Sequence, residues 1–165
     1  LINLCAIYLL QPYINRLGLL YSENRILEFK QSVKKIILYI LIFGIVCLTG
    51  ATLIGVPVLN IVYNVDLSGY LSSLQLIIVG ATLIAIVTVL STALTTFRNT
   101  KTQFGIYVIV SLAILVVSGT LVDQFGVLGA TYTYLLSTIL QFILYVLAYT
   151  KEMKKWNITC EKEML

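Results

Sequence analysis

Four long apolar runs, Ile36–Tyr63, Tyr70–Thr96, Gly105–Val122 and Gly126–Tyr149, are separated by short polar gaps. Each reaches or approaches the ~20 residues that an α-helix needs to cross the hydrocarbon core of a bilayer, so the pattern predicts four complete spans. A further apolar stretch, Leu1–Tyr13, is too short to cross by itself and lacks the basic start and small-residue cleavage site of a signal peptide. It reads as a partial span, the end of a helix that begins upstream in a larger transporter-sized protein. Between Pro12 and the first complete span, Ile14–Lys35 mixes Leu17, Leu20, Ile26, Leu27, Phe29 and Val33 with charges at helical spacing. This predicts an amphipathic linker helix along the membrane surface, serving as an anchor for its neighbours or as a lever between them. Residues 150–165 form a tail. The expected fold is all-α, a polytopic transmembrane helix bundle over residues 1–165.

Within the spans, small and polar residues recur at helical steps. Gly44, Cys47, Ala51 and Gly55 place small side chains on one face of the first complete span, and such a face favours close packing of a neighbouring helix in lipid. Pro57 is expected to kink that helix or end its regular part, because its ring blocks the bond to the carbonyl four residues back. The next span carries Ala81, Ala85, Thr88, Ser91, Thr92 and Thr95 along a stripe that becomes more polar toward its end. Hydroxyls can return their bonds to the helix backbone, so this stripe is either a packing face or the wall of an aqueous cavity. The last span shows Thr133, Ser137, Gln141 and Tyr145 four residues apart. An unpaired amide in hydrocarbon costs several kcal/mol, so Gln141 has to face protein or water. Thr88, Ser91, Thr92, Thr95, Thr133, Ser137 and Gln141 are therefore the candidate substrate-path residues.

Charge then orients the bundle. Arg16, Arg25, Lys30, Lys34 and Lys35 precede the first complete span, Arg98 and Lys101 lie between the second and third, and Lys151, Lys154, Lys155 and Lys162 follow the last. The alternate gaps hold only Asp66 and Asp123. Short loops rich in Lys and Arg stay in the cytoplasm, which predicts a multi-pass protein with its carboxyl terminus inside. The net charge of +4 is thus a matter of topology and of attraction to membrane lipids, with no nucleic-acid partner expected. A content of 59% hydrophobic residues and a mean hydropathy of +0.99 agree with a membrane address.

The chain has no His and three Cys without metal-ligand spacing. It shows no nucleophile-base set, P-loop or dinucleotide fingerprint, so neither an enzyme, a metal site nor a cofactor is expected. No ionisable side chain falls well inside a complete span, which leaves no candidate ion-coupling group in this portion.

Four segments together resemble the C-terminal half of polysaccharide (O-antigen) flippases of the Wzx type, in the multidrug/oligosaccharidyl-lipid/polysaccharide exporter superfamily. They are Gln11-Pro12-Tyr13-Ile14-Asn15-Arg16, Gly55-Val56-Pro57-Val58-Leu59-Asn60-Ile61-Val62-Tyr63, Thr92 to Lys101, and Phe125-Gly126-Val127-Leu128-Gly129-Ala130-Thr131. The resemblance implies a MATE-like C-terminal lobe fragment whose missing N-terminal lobe completes a central cavity, in a prokaryotic cytoplasmic membrane. It further implies a carrier that flips a polyprenyl-pyrophosphate-linked oligosaccharide for cell-surface polysaccharide synthesis, in company with glycosyltransferases or a polymerase. A drug or metabolite exporter of the same superfamily and a non-transporting scaffold of a glycan-assembly complex are the alternatives.

Overall fold

The structure, a computed structural model, describes residues 2–55, 58, 69 and 71–163; for residues 2–10 and 161–163 it describes the backbone alone. The described residues form five α-helices: α1 (Ile2–Ser22), α2 (Ile26–Gly50), α3 (Leu71–Thr96), α4 (Thr100–Phe125) and α5 (Val127–Glu163). A wider π-helical turn, Ala51–Gly55, continues α2. No strand occurs among the described residues. Four of these helices, counting α2 with its continuation, are long and apolar enough to cross a membrane. Large apolar side chains such as Leu53, Leu115 and Val116 are exposed along them, as in a bundle whose solvent is lipid. The chain is an all-α, multi-pass membrane bundle.

Helix boundaries differ from the sequence expectation at three places. First, α1 runs unbroken through Pro12 to Ser22, and α2 begins at Ile26, so the expected linker 14–35 is divided between two long helices. The single bond that Pro12 forfeits is absorbed within a 21-residue helix, whereas the chain truly reverses at Glu23–Arg25. Second, α4 continues through Asp123 and the chain breaks at Gly126 alone, whose φ of 56° suits a residue without Cβ. A Cβ at Gly129 would collide with the Leu121 carbonyl, so the short Gly126–Gly129 motif is what lets α5 start against the end of α4. Third, residues 150–163 continue α5 as helix. The kink assigned to Pro57 and the turn around Asp66 lie outside the described residues.

α3 is the centre of the bundle. It packs along α5, α1 and α2, while α4 leans mainly on α5 and touches α3 little although the two are consecutive. The small face on α2 does meet a neighbour: a Cβ on Gly44 would stand 2.5 Å from Thr82 Cγ2, and one on Gly55 would stand 3.1 Å from Leu74 Cδ2. Gly80 likewise admits the Tyr134 ring of α5. With no hydrophobic gain between helices in lipid, such close packing over glycines is one source of cohesion.

The helices alternate in direction, which brings the α1–α2 turn, the α3–α4 turn and the distal part of α5 to one end. There Tyr21, Phe29, Phe97 and Trp156 form an aromatic knot with ring centroids 5.0–5.8 Å apart for Tyr21–Trp156, Tyr21–Phe97, Phe29–Trp156 and Phe97–Trp156. Trp156 Nε1 donates to Asn24 Oδ1 at 3.3 Å, and Asn99 Nδ2 donates to Glu152 Oε1 at 2.9 Å. The basic connectors therefore share one end, as the alternating charge pattern requires.

Candidate functional site

At this basic end a cleft of about 720 Å³ opens between α1 and α3. Gly18, Tyr21 and Ser22 line one wall; Thr92, Thr95, Thr96 and Arg98 line the other. Nothing lies within 4 Å of where a Gly18 Cβ would stand, so the missing side chain contributes directly to the open volume.

The hydroxyls of the cleft are already committed as donors. Thr92 donates to the Thr88 carbonyl at 2.9 Å, Thr95 to the Ser91 carbonyl at 2.9 Å, Thr96 to the Thr92 carbonyl at 3.2 Å and Ser22 to the Leu19 carbonyl at 2.9 Å. A hydroxyl with its proton so used still has lone pairs to offer. The polar groups on these otherwise largely apolar walls are thus acceptors, with the Arg98 guanidinium supplying donors and positive charge at the rim.

Arg98 reaches that place through an unusual backbone. Its φ is 56°, and the N–H groups of Arg98 and Asn99 close the end of α3 on the carbonyls of Thr95 (2.9 Å) and Leu94 (3.3 Å). This helix-ending turn normally uses Gly or Asn at its left-handed residue. The stretch Thr95-Thr96-Phe97-Arg98-Asn99-Thr100 offers no Gly, and Asn99 is taken as the N-cap of α4, accepting from the Thr102 N–H and hydroxyl at 3.3 and 2.8 Å.

The seven candidate path residues do not line a single passage. Thr92 and Thr95 are in the cleft. Thr88 is half-buried one turn deeper, with its hydroxyl on the Ile84 carbonyl at 3.0 Å. Ser91 turns toward α4 and donates to Gln103 Oε1 at 3.2 Å, while Gln103 Nε2 donates to the Ser91 carbonyl at 3.1 Å and to Thr95 Oγ1 at 3.0 Å. Along the α3 stripe, Ala85 is fully buried in packing, Thr92 borders the cleft, and Thr95 borders the cleft while its oxygen accepts from Gln103. On α5, Thr133 is buried and bonded to the Gly129 carbonyl at 2.9 Å, Ser137 is bonded to the Tyr134 carbonyl at 2.7 Å, and Gln141 is half-buried.

Arg98, Gln103 and Trp156 were not singled out by sequence reasoning. Arg98 reads as part of a basic connector, Gln103 lies two residues before the predicted span Gly105–Val122, and Trp156 sits in what reads as a tail. The usable signal was the hydroxyl run ending in Arg98-Asn99 without a glycine. Among the described residues no three of His, Cys, Asp and Glu gather as a metal site would require. Compared with family models, with curated proteins and with solved structures, the chain matches none of them.

Proposed function

We propose that this chain is part of a non-enzymatic membrane carrier that moves lipid-linked oligosaccharide across a prokaryotic cytoplasmic membrane, its carboxyl-terminal side facing the cytoplasm. The observation that carries the reading is the α1–α3 cleft: hydroxyl oxygens of Ser22, Thr92, Thr95 and Thr96 line it, their protons spent on helix carbonyls, with Arg98 at its mouth. Sugar hydroxyls are donors that such a wall accepts, and the phosphate oxygens linking sugar to lipid match a guanidinium. The apolar exterior of the bundle leaves the lipid chain in the bilayer while the headgroup crosses, and rocking of two helical lobes would expose the cleft alternately. The four segments similar to polysaccharide flippases support the same assignment.

The test is translocation of a fluorescent polyprenyl-diphosphate oligosaccharide by the full-length protein in proteoliposomes, read by accessibility to an external lectin. Gly18→Leu, which fills the cleft, and Thr92→Val/Thr95→Val, which remove its acceptors, are expected to slow flipping at least tenfold with the protein still folded. Unchanged flipping in both variants would remove the cleft from the path. Absence of flipping by the parent, with export of a small cationic drug instead, would replace the substrate.

A further inference from the structure

Another polar groove at the basic end belongs to other helices and opens beside the exposed Leu27. It lies between the start of α2 and the distal part of α5, has a volume of about 350 Å³, and is lined at its polar side by Lys30, Lys154, Thr150 and Asn157. Its apolar side is formed by Leu27 and Met153, and Leu27 is 77% exposed beside it. Neither Lys30 nor Lys154 is paired with a carboxylate among the described residues, whereas Arg25 nearby is held by Glu23 and Glu28.

Depth places this groove at the membrane surface. The first span with its continuation is 30 residues and the last is 34, so they extend about 45 and 51 Å at ~1.5 Å per residue. The hydrocarbon core takes about 30 Å of that, and the excess lies at headgroup level. The lysines near the start of α2 and in the distal part of α5 fall in this excess. A groove with two ammonium groups unpaired among the described residues and small polar side chains, continuous with an apolar strip that faces lipid, matches a phosphate above an acyl chain.

We infer that this groove is a binding site for one anionic phospholipid, its phosphate between Lys30 and Lys154 and its acyl chain along Leu27 and Met153. The site is distinct from the α1–α3 cleft and does not depend on what the cleft carries. Bound there, the lipid would staple α2 to α5, which meet at Phe29 and Trp156.

Native mass spectrometry of the full-length protein, titrated with phosphatidylglycerol or phosphatidylcholine, tests this. Phosphatidylglycerol should be retained in preference to phosphatidylcholine, and Lys30→Gln/Lys154→Gln should lower its apparent affinity about tenfold. Lys30→Arg/Lys154→Arg should retain the preference, and the charge-matched control Lys101→Gln/Lys151→Gln should change affinity less than twofold. Equal loss in the control would show only a diffuse surface charge, and equal retention of the two lipids would show only apolar adhesion; either overturns the site. Displacement of the lipid by millimolar inorganic phosphate would overturn it too, making this a site for a free anion. Because these readouts involve no transport, a failed flipping assay leaves them unaffected.

Discussion

The two helix turns at the basic end, α1–α2 and α3–α4, close with the same backbone and put it to different uses. In each, the helix ends on a left-handed residue, Asn24 or Arg98, with φ of 54° or 56°. Each turn is closed by the same pair of bonds: Asn24 N–H to the Tyr21 carbonyl and Arg25 N–H to that of Leu20, then Arg98 N–H to Thr95 and Asn99 N–H to Leu94. Asn tolerates this conformation because its short polar side chain can bond locally. Here Asn24 accepts from Trp156, so the first turn is tied into the aromatic knot. Arg98 has no such ease, and its side chain borders the cleft. The residues after them diverge in the same sense. Arg25 is engaged by Glu28 and then Glu23, which raise its pKa further above its ordinary value and keep it charged at any working pH; Asn99 instead caps α4 and reaches α5. Both turns are fastened to α5, the first through Asn24 and the second through Phe97 and Asn99, but only the second carries a conformational cost at its left-handed residue.

The largest expected effect comes from removing the ring that fastens both turns. Trp156→Ala removes a ring that is 8% exposed and touches both turns, and should destabilise the bundle by about 3–5 kcal/mol, read as a fall in the thermal unfolding midpoint by circular dichroism. A shift no larger than that of Ile158→Ala, an exposed neighbour, would mean that the knot does not hold the turns together. Next is the seam between the hairpins. Gly44→Ala forces a Cβ against Thr82 and should cost about 1–3 kcal/mol, whereas Gly18→Ala, with open space around it, should be neutral or slightly stabilising.

The comparison of the turns is sharpened most directly by Arg98→Gly. Relief of the left-handed backbone should stabilise the protein by about 1 kcal/mol while flipping falls, the opposing signs that a strained functional position gives. If stability and flipping move together, Arg98 is only a turn residue. The smallest effect belongs to Gln103→Leu, which deletes the clamp between α3 and α4. Interhelical hydrogen bonds in lipid average about 0.6 kcal/mol, and a loss of that order is expected in the same unfolding measurement.

The sequence made the helical architecture legible because in lipid both the length of a span and its small-residue faces are set by local composition; Gly44 and Gly55 were read correctly from spacing alone. It also predicted the segregation of the basic connectors, which the alternation of helix direction enforces. What it did not yield depends on partners distant in the chain. Nothing near Trp156 announces that Asn24, 132 residues earlier, will accept its N–H. Nor does the stripe from Thr88 to Thr95 tell which hydroxyls face α1 and which face Gln103, since that is fixed by how α3 is rotated within the bundle. Pro12 misled in the opposite direction, a strong local signal for a helix end that the chain passes through.

The lopsided seating of α4 bears on how the protein is made. Threaded into the bilayer directly after α3, it finds little on that neighbour to hold and rests mainly on α5, which leaves the ribosome later. An assembly intermediate ending after residue 125 would thus carry an unanchored rod beside a partly formed bundle. Stable seating of that rod waits for α5, and the last two helices are expected to enter the bundle as a pair.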